Sequence, residues 1–192
     1  MLFRSPKTVP EFIAYAKANP DKINVASAGN GTTQHVAAEL FNMMASVKMR
    51  HVPYRGSPLA LTDLLGGQVQ AMFAPVASSI RYVTSNKLRA LGVTSASRLT
   101  TLPDLPPLSD FLPGYEVTAW FGIGAPRNTA AEIVNRLNAE IAAVLGDPRI
   151  RARLVEVGAT PFVQSPTDFR RFIVEETEKW AKVVRFAGLK PE

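Results

Sequence analysis

Short runs of β-type residues alternate with helical patterns along the first half of the chain, and this alternation limits the fold more than any other feature. "INVAS" (23–27), "MRHVPY" (49–54), "VQAMF" (69–73) and "LRALGVT" (88–94) are compact apolar runs of strand length. Val36, Ala37, Leu40, Phe41 and Met44 recur at spacings of three and four, which predicts a helix from about Thr33 to Ala45. Ser57, as a cap with Pro58 behind it, opens another helix that Gly66-Gly67 ends, and a short one covers about 76–85. Upstream, Thr8 to Glu11 has capping-box spacing with Pro10 in the first turn, so a helix runs to about Asn19-Pro20. Four strands separated by helices predict an α/β fold with a parallel or mostly parallel sheet.

The texture changes after Thr94. "TLPDLPPLSDFLPG" (101–114) is a connection ordered by its prolines, and "YEVTAWFGIGAP" (115–126) reads as one long apolar strand. Thr129 to Glu132 repeats the capping-box spacing and opens a helix to Leu145 that Gly146 closes. Another helix runs from about Pro148 to Val157 and stops at Gly158, and "TPFVQ" (160–164) is a short strand. Ser165-Pro166 starts a last helix with Phe169, Phe172, Ile173, Trp180, Val183 and Val184 as its apolar stripe. Residues 5–114 therefore form one α/β domain. Residues 115–192 hold too little sheet to cover their own helices.

Much chemistry is excluded. The chain has no cysteine and two histidines, His35 and His51, so neither a thiolate nor a His-rich metal site is available. Gln34 stands where a dinucleotide fingerprint needs its third glycine, and no Lys-Ser/Thr follows the bend. No G-x-S-x-G elbow occurs, and no motif pairs two carboxylates for acid–base work. The net charge of +6 is scattered rather than concentrated, with Arg149 and Arg153 on a solvated helix face, which argues against nucleic acid. No apolar run approaches the ~18 residues of a membrane span, and "MLFRSPKTVPEF" lacks a signal peptide's apolar region. No cofactor is implied.

What remains is a helix entrance. The bend "AGNGTT" (28–33) carries glycines that permit positive φ, and the helix behind it begins with amides lacking intrahelical partners. Ser27, Asn30, Thr32 and Thr33 place short polar side chains beside those amides, a setting that suits a carboxylate. The alternative is a βα turn that uses glycine and threonine only to start a helix. Tyr54, Arg55 and Gly56 end the next strand on the same edge, where open α/β sheets gather ligands. Arg55 suits bidentate pairing with a carboxylate or a solvated place in a turn, and His35 suits the pocket or simple packing. Phe41, Met43 and Met44 are core residues.

"ASAGNGTTQHVAAELF", "HVPYRGSPLALTDLLGGQVQAMF", "LRALGVTSASR", "LPDLPPLSDFLPGYEVTAWFGIGAP" and "GATPFVQSPTDFRRFIVEETEKWAKVV" follow, in order, the pattern of one family. They resemble the tripartite tricarboxylate transporter substrate-binding proteins, also called Bug receptors, over nearly the whole chain. The resemblance implies a type II-like periplasmic-binding-protein fold: one complete ligand-binding α/β domain (5–114), then a crossover strand and C-terminal helices (115–192) of a first domain whose N-terminal part this chain lacks. It implies a periplasmic address; no signal peptide is read in this stretch, which leaves cytoplasmic retention of the chain as given as the alternative expectation.

The implied function is extracytoplasmic binding of small organic anions (di- or tricarboxylates, acidic amino acids or aromatic acids) for membrane transporter subunits. The implied ligand-binding positions are Ser27, Ala28, Gly29, Asn30, Gly31, Thr32, Thr33 and Tyr54, with Arg55 added from the residue reading. One departure is Ala74-Pro75, where the family commonly has an aspartate after "QAMF". Two other readings stand beside this one: a vestigial or interaction module with little ligand affinity, and an α/β enzyme without a recognisable motif. Apolar faces left uncovered in 115–126 and in the last helix predict self-association.

Overall fold

A computed structural model describes residues 6–156 and 159–189. These fall into two compact units. One comprises the chain up to Ala119 together with the chain from Lys182 onward, and the other is Trp120–Ala181.

In the first unit, α1 (Val9–Ala18) is capped by the Thr8 hydroxyl, which accepts from the Glu11 N–H, while the Glu11 carboxylate accepts from the Lys7 N–H. β1 (Asn24–Ser27), α2 (Thr33–Ala45), β2 (Arg50–Pro53), α3 (Ser57–Leu65), β3 (Ala71–Met72) and α4 (Val76–Thr84) follow. The three strands are parallel in the order β2-β1-β3, with Val25 opposite both His51 and Ala71. The central position of β1 explains why Val25, Ala26 and Ser27 are all buried. Ala26 packs with Ala60 and Val69, flanked by Val52, Tyr54, Leu64 and Met72. Elsewhere Phe41 meets the rings of Phe12, Phe73 and Tyr115, and the buried Tyr115 hydroxyl donates to the Ala37 carbonyl at 2.9 Å.

Three expected strands are absent. Leu88–Thr94 does not join the sheet, because its backbone is bonded to the proline-rich connection. The Val93 N–H donates to Pro106 O, the Leu108 N–H to Val93 O, and the Val117 N–H to Thr94 O. Gly92 permits this approach, since a Cβ there would lie 2.9 Å from Pro106 O. Residues 115–126 likewise form no strand, and Tyr115 and Val117 at their start are buried as single anchors. Residues 160–164 are also irregular.

The second unit contains α5 (Ala131–Gly146), α6 (Pro148–Glu156) and most of α7 (Pro166–Ala187). Thr129 does not cap α5: its hydroxyl donates to Pro126 O, and Ala130 takes the cap position without a side-chain bond. Gly146 is the last helical residue rather than the stop. The expected end of α6 at Val157-Gly158 lies outside the described residues. Ser165 does open α7, accepting from the Asp168 N–H. Trp120, Phe169, Phe172 and Phe162 form an aromatic group within this unit. Among the described residues no helix is long and apolar enough to cross a membrane.

Candidate functional site

β1 ends at Ser27, and the chain bends through 28–32 into α2. Gly29 at φ 138° and Gly31 at φ 69° hold conformations that side chains disfavour, so the two glycines set the path. The bend is tied to itself. The Ser27 hydroxyl accepts from the Gly29 N–H (3.1 Å) and donates to Gly29 O (3.0 Å). The Thr32 hydroxyl and N–H both donate to Gly29 O, at 2.7 and 3.4 Å.

Since the Thr32 hydroxyl is spent there, α2 starts without a side-chain cap and without an acidic residue in its first turn. Its first amides have no intrahelical acceptor, and the positive end of the helix dipole lies beside them. Asn30, Gly31 and Thr33 are exposed and Ala28, Gly29 and Thr32 half-buried, so the mouth is open to solvent.

The next strand brings its end to the same edge. The Tyr54 N–H donates to Ser27 O at 3.0 Å, and Tyr54 O lies 3.6 Å from where a Gly29 Cβ would stand. The Tyr54 hydroxyl is engaged by Asp63 at 2.7 Å; that bond, with some burial, pushes the phenol up. Arg55 is exposed in the turn into α3. Gly56, not Ser57, occupies the cap of α3, again without a side-chain bond. Ser57 is the first helical residue, and its hydroxyl accepts from the Gln34 amide at 3.1 Å, linking the starts of α2 and α3.

Behind the bend lie the two histidines. Their rings stack with centroids 3.5 Å apart and planes 10° apart. The Gly31 N–H donates to His35 Nδ1 at 3.1 Å, so the proton of the neutral ring is on Nε2, 3.8 Å from Glu39 Oε1. His51 Nε2 lies 2.6 Å from the Ser27 hydroxyl. With its proton on Nε2, His51 donates to a hydroxyl that itself donates to Gly29 O, and every contact is a hydrogen bond. Burial lowers the pKa of His35, and burial followed by the charge of His35 lowers His51 to about 4. Two charged rings this close would repel by on the order of 5 kcal/mol at an effective dielectric of ~20.

The family described as "Tripartite tricarboxylate transporter family receptor" (TctC) matches residues 4–189. The chain belongs to this family. A relative from Pseudomonas sp. (strain P51), the "UPF0065 protein in tcbD-tcbE intergenic region", is 37% identical over 180 residues, 93% of this chain and 54% of its own length. The structure of R. palustris Rpa4515 with adipate superposes with a TM-score of 0.86 at 36% identity, covering 100% of this chain and 64% of that one. MatC (Rpa3494) from Rhodopseudomonas palustris with bound malate gives 0.78 at 31%, covering 93% and 62%. The chain thus spans less than two thirds of the length of these relatives.

Within this TctC chain, the structure brings Ser27 through Thr33 and Tyr54 together and leaves Arg55 exposed beside them. It also assigns three hydroxyls differently from the sequence reading, that of Thr32 being held by Gly29 O. Ser27 is wholly buried and braces the bend, and Tyr54 is turned to Asp63. Sequence reasoning gave His51 no part in the bend and left His35 open. The usable signal was spacing: His51 sits directly across from Val25, two residues before Ser27, and His35 lies one turn into α2.

A separate crevice of about 380 Å³ is lined by Ala16, Lys17, Asn42, Ser46, Lys48 and Phe186, among others. It lies at the C-terminal ends of α1 and α2, where the dipoles disfavour anions, and Lys48 there is paired with Asp21 at 2.9 Å.

Proposed function

We propose that this chain carries the carboxylate-holding α/β part (5–114) of an extracytoplasmic solute receptor that serves tripartite tricarboxylate-type membrane subunits from the periplasm. One observation carries the reading: α2 begins uncapped at an open, glycine-shaped bend on the carboxyl edge of a parallel sheet. The amides of the first turn, with Asn30 and Thr33 beside them, donate to one carboxylate of a small di- or tricarboxylate, while the Thr32 hydroxyl stays on Gly29 O. Arg55 meets it from the neighbouring turn. Adipate and malate in Rpa4515 and MatC support this class of ligand. The family of transport receptors leaves an α/β enzyme without support.

Magnitudes set the expected affinity. A helix start contributes about 0.3–1 kcal/mol when exposed and up to ~2 when partly buried. A micromolar Kd needs about 8 kcal/mol and a millimolar one about 4. Donors from one open edge therefore give binding weaker than micromolar. Calorimetric titration of the 192-residue chain with adipate and malate tests this, and a micromolar or tighter Kd would contradict it.

A second reading, a module that keeps the fold without useful affinity, is favoured by the Ser27, Thr32 and Tyr54 hydroxyls, which already donate within the chain and so remove three donors. Titration to tens of millimolar without a response supports that reading instead.

A further inference from the structure

We infer that the stacked pair His35 and His51 positions the 27–33 bend, acting as an internal brace that keeps the Gly31 and Gly29 amides and the start of α2 in one arrangement. The brace stands on geometry alone; its effect on a carboxylate ligand rests on the function proposed above. Each ring holds a different point of the bend. His35 Nδ1 accepts from the Gly31 N–H, and His51 Nε2 meets the Ser27 hydroxyl that grips both the N–H and the carbonyl of Gly29. The rings then fix each other, face to face at 3.5 Å. Three elements thus meet at one point: β1 through Ser27, β2 through His51 and α2 through His35.

The bend needs such a brace. Gly31 is exposed at positive φ, and nothing stands within 4 Å of where its Cβ would be. Packing therefore does not hold it in place; a hydrogen bond does. The grip exists only in the neutral state of His35, because a protonated Nδ1 is a donor and repels the Gly31 N–H. Among the described residues, the Glu39 carboxylate on α2 lies beside His35 and the uncharged Ser27 hydroxyl on β1 meets His51. Protonation of His35 is thus expected to release Gly31 even though Glu39 lies on its far side.

Heteronuclear NMR of the full chain tests the brace directly. On acidification the Gly31 amide signal and the His35 ring signals should move in one shared transition. In His35→Phe, which keeps a planar ring without the acceptor, protection of the Gly31 amide from hydrogen exchange should fall about tenfold, the worth of one net hydrogen bond. His35→Asn, whose Oδ1 replaces Nδ1, should restore most of it. A Gly31 amide indifferent to both the titration and the Asn/Phe exchange would overturn the inference. If His35→Phe does not fold, the titration of the unaltered chain decides alone.

Adipate separates this from the function itself. Intact Gly31 coupling with no adipate response anywhere overturns the carboxylate reading and leaves the brace standing. Adipate bound equally well by the Phe and Asn variants overturns the brace as a determinant of binding.

Discussion

Side chains such as Val25, Ala26 and Tyr115 in the first unit expose 0% of their surface, whereas no described residue of Trp120–Ala181 is buried. The two units have comparable local signals. Each has helix caps or helix-starting prolines, apolar stripes and aromatic contacts. What differs is that a parallel sheet gives the helices of the first unit a surface to cover, while the second leaves many large apolar residues exposed, Phe121 at 99% among them. Helical patterning specifies a face; only a second layer turns that face into a core.

The contrast breaks most visibly under truncation of a large ring. Phe41→Ala should cost about 3–5 kcal/mol in denaturant unfolding, because Phe41 is buried against three aromatic rings. Phe121→Ala should change stability by less than about 0.5 kcal/mol. Equal losses at the two positions would erase the distinction drawn between the units.

A smaller effect comes from the histidines of the first unit. The folded-state pKa of His51 is lowered to about 4 from an ordinary 6.5, and that of His35 is lowered too. As pH falls below 6.5 the unfolded chain takes up protons first, so the stability present above pH 6.5 is lost progressively toward pH 4. Between pH 6.5 and 5 the loss from His51 should be about 1–2 kcal/mol, allowing for its partial exposure. Glu39, whose pKa burial raises, works in the opposite sense at the acid end. His51→Phe should flatten the slope of unfolding free energy against pH in this window.

Removing the Tyr115 hydroxyl should be milder. Tyr115→Phe gives up the buried bond to Ala37 O and is expected to cost about 1 kcal/mol, read as a lower denaturation midpoint at unchanged slope. Least affected in stability, but not in behaviour, is the second unit. We expect the chain to self-associate through its exposed apolar side chains, and Phe121→Ser to lower the light-scattering mass while leaving unfolding nearly unchanged. A monodisperse monomer at high concentration would argue that these residues are not adhesive.

Much of the first unit was legible because its signals are local and agree with one another. Apolar spacing placed α2 at Thr33–Ala45, and the runs at 23–27 and 49–54 became β1 and β2. The run at 88–94 looked the same on paper, yet its hydrogen bonds go to a proline-rich connection more than ten residues away, a choice no local pattern records. Residues 115–126 read as a strand from their apolar content, but an apolar run without a partner strand has nothing to pair with. At the site, glycine and threonine announced the bend and its exposed amides. Which hydroxyls face inward was hidden, because Ser27 is claimed by His51 from a neighbouring strand and Tyr54 by Asp63 from the next helix.

The central claim is that a carboxylate is held where α2 begins, and chemical-shift mapping during an adipate titration of the isotope-labelled chain tests it most directly. Saturable, weaker-than-micromolar shifts concentrated at Asn30 to Gln34 and Arg55 are expected. Shifts confined to the Lys17 and Lys48 crevice at the other end of α2, or none at the bend, would contradict it.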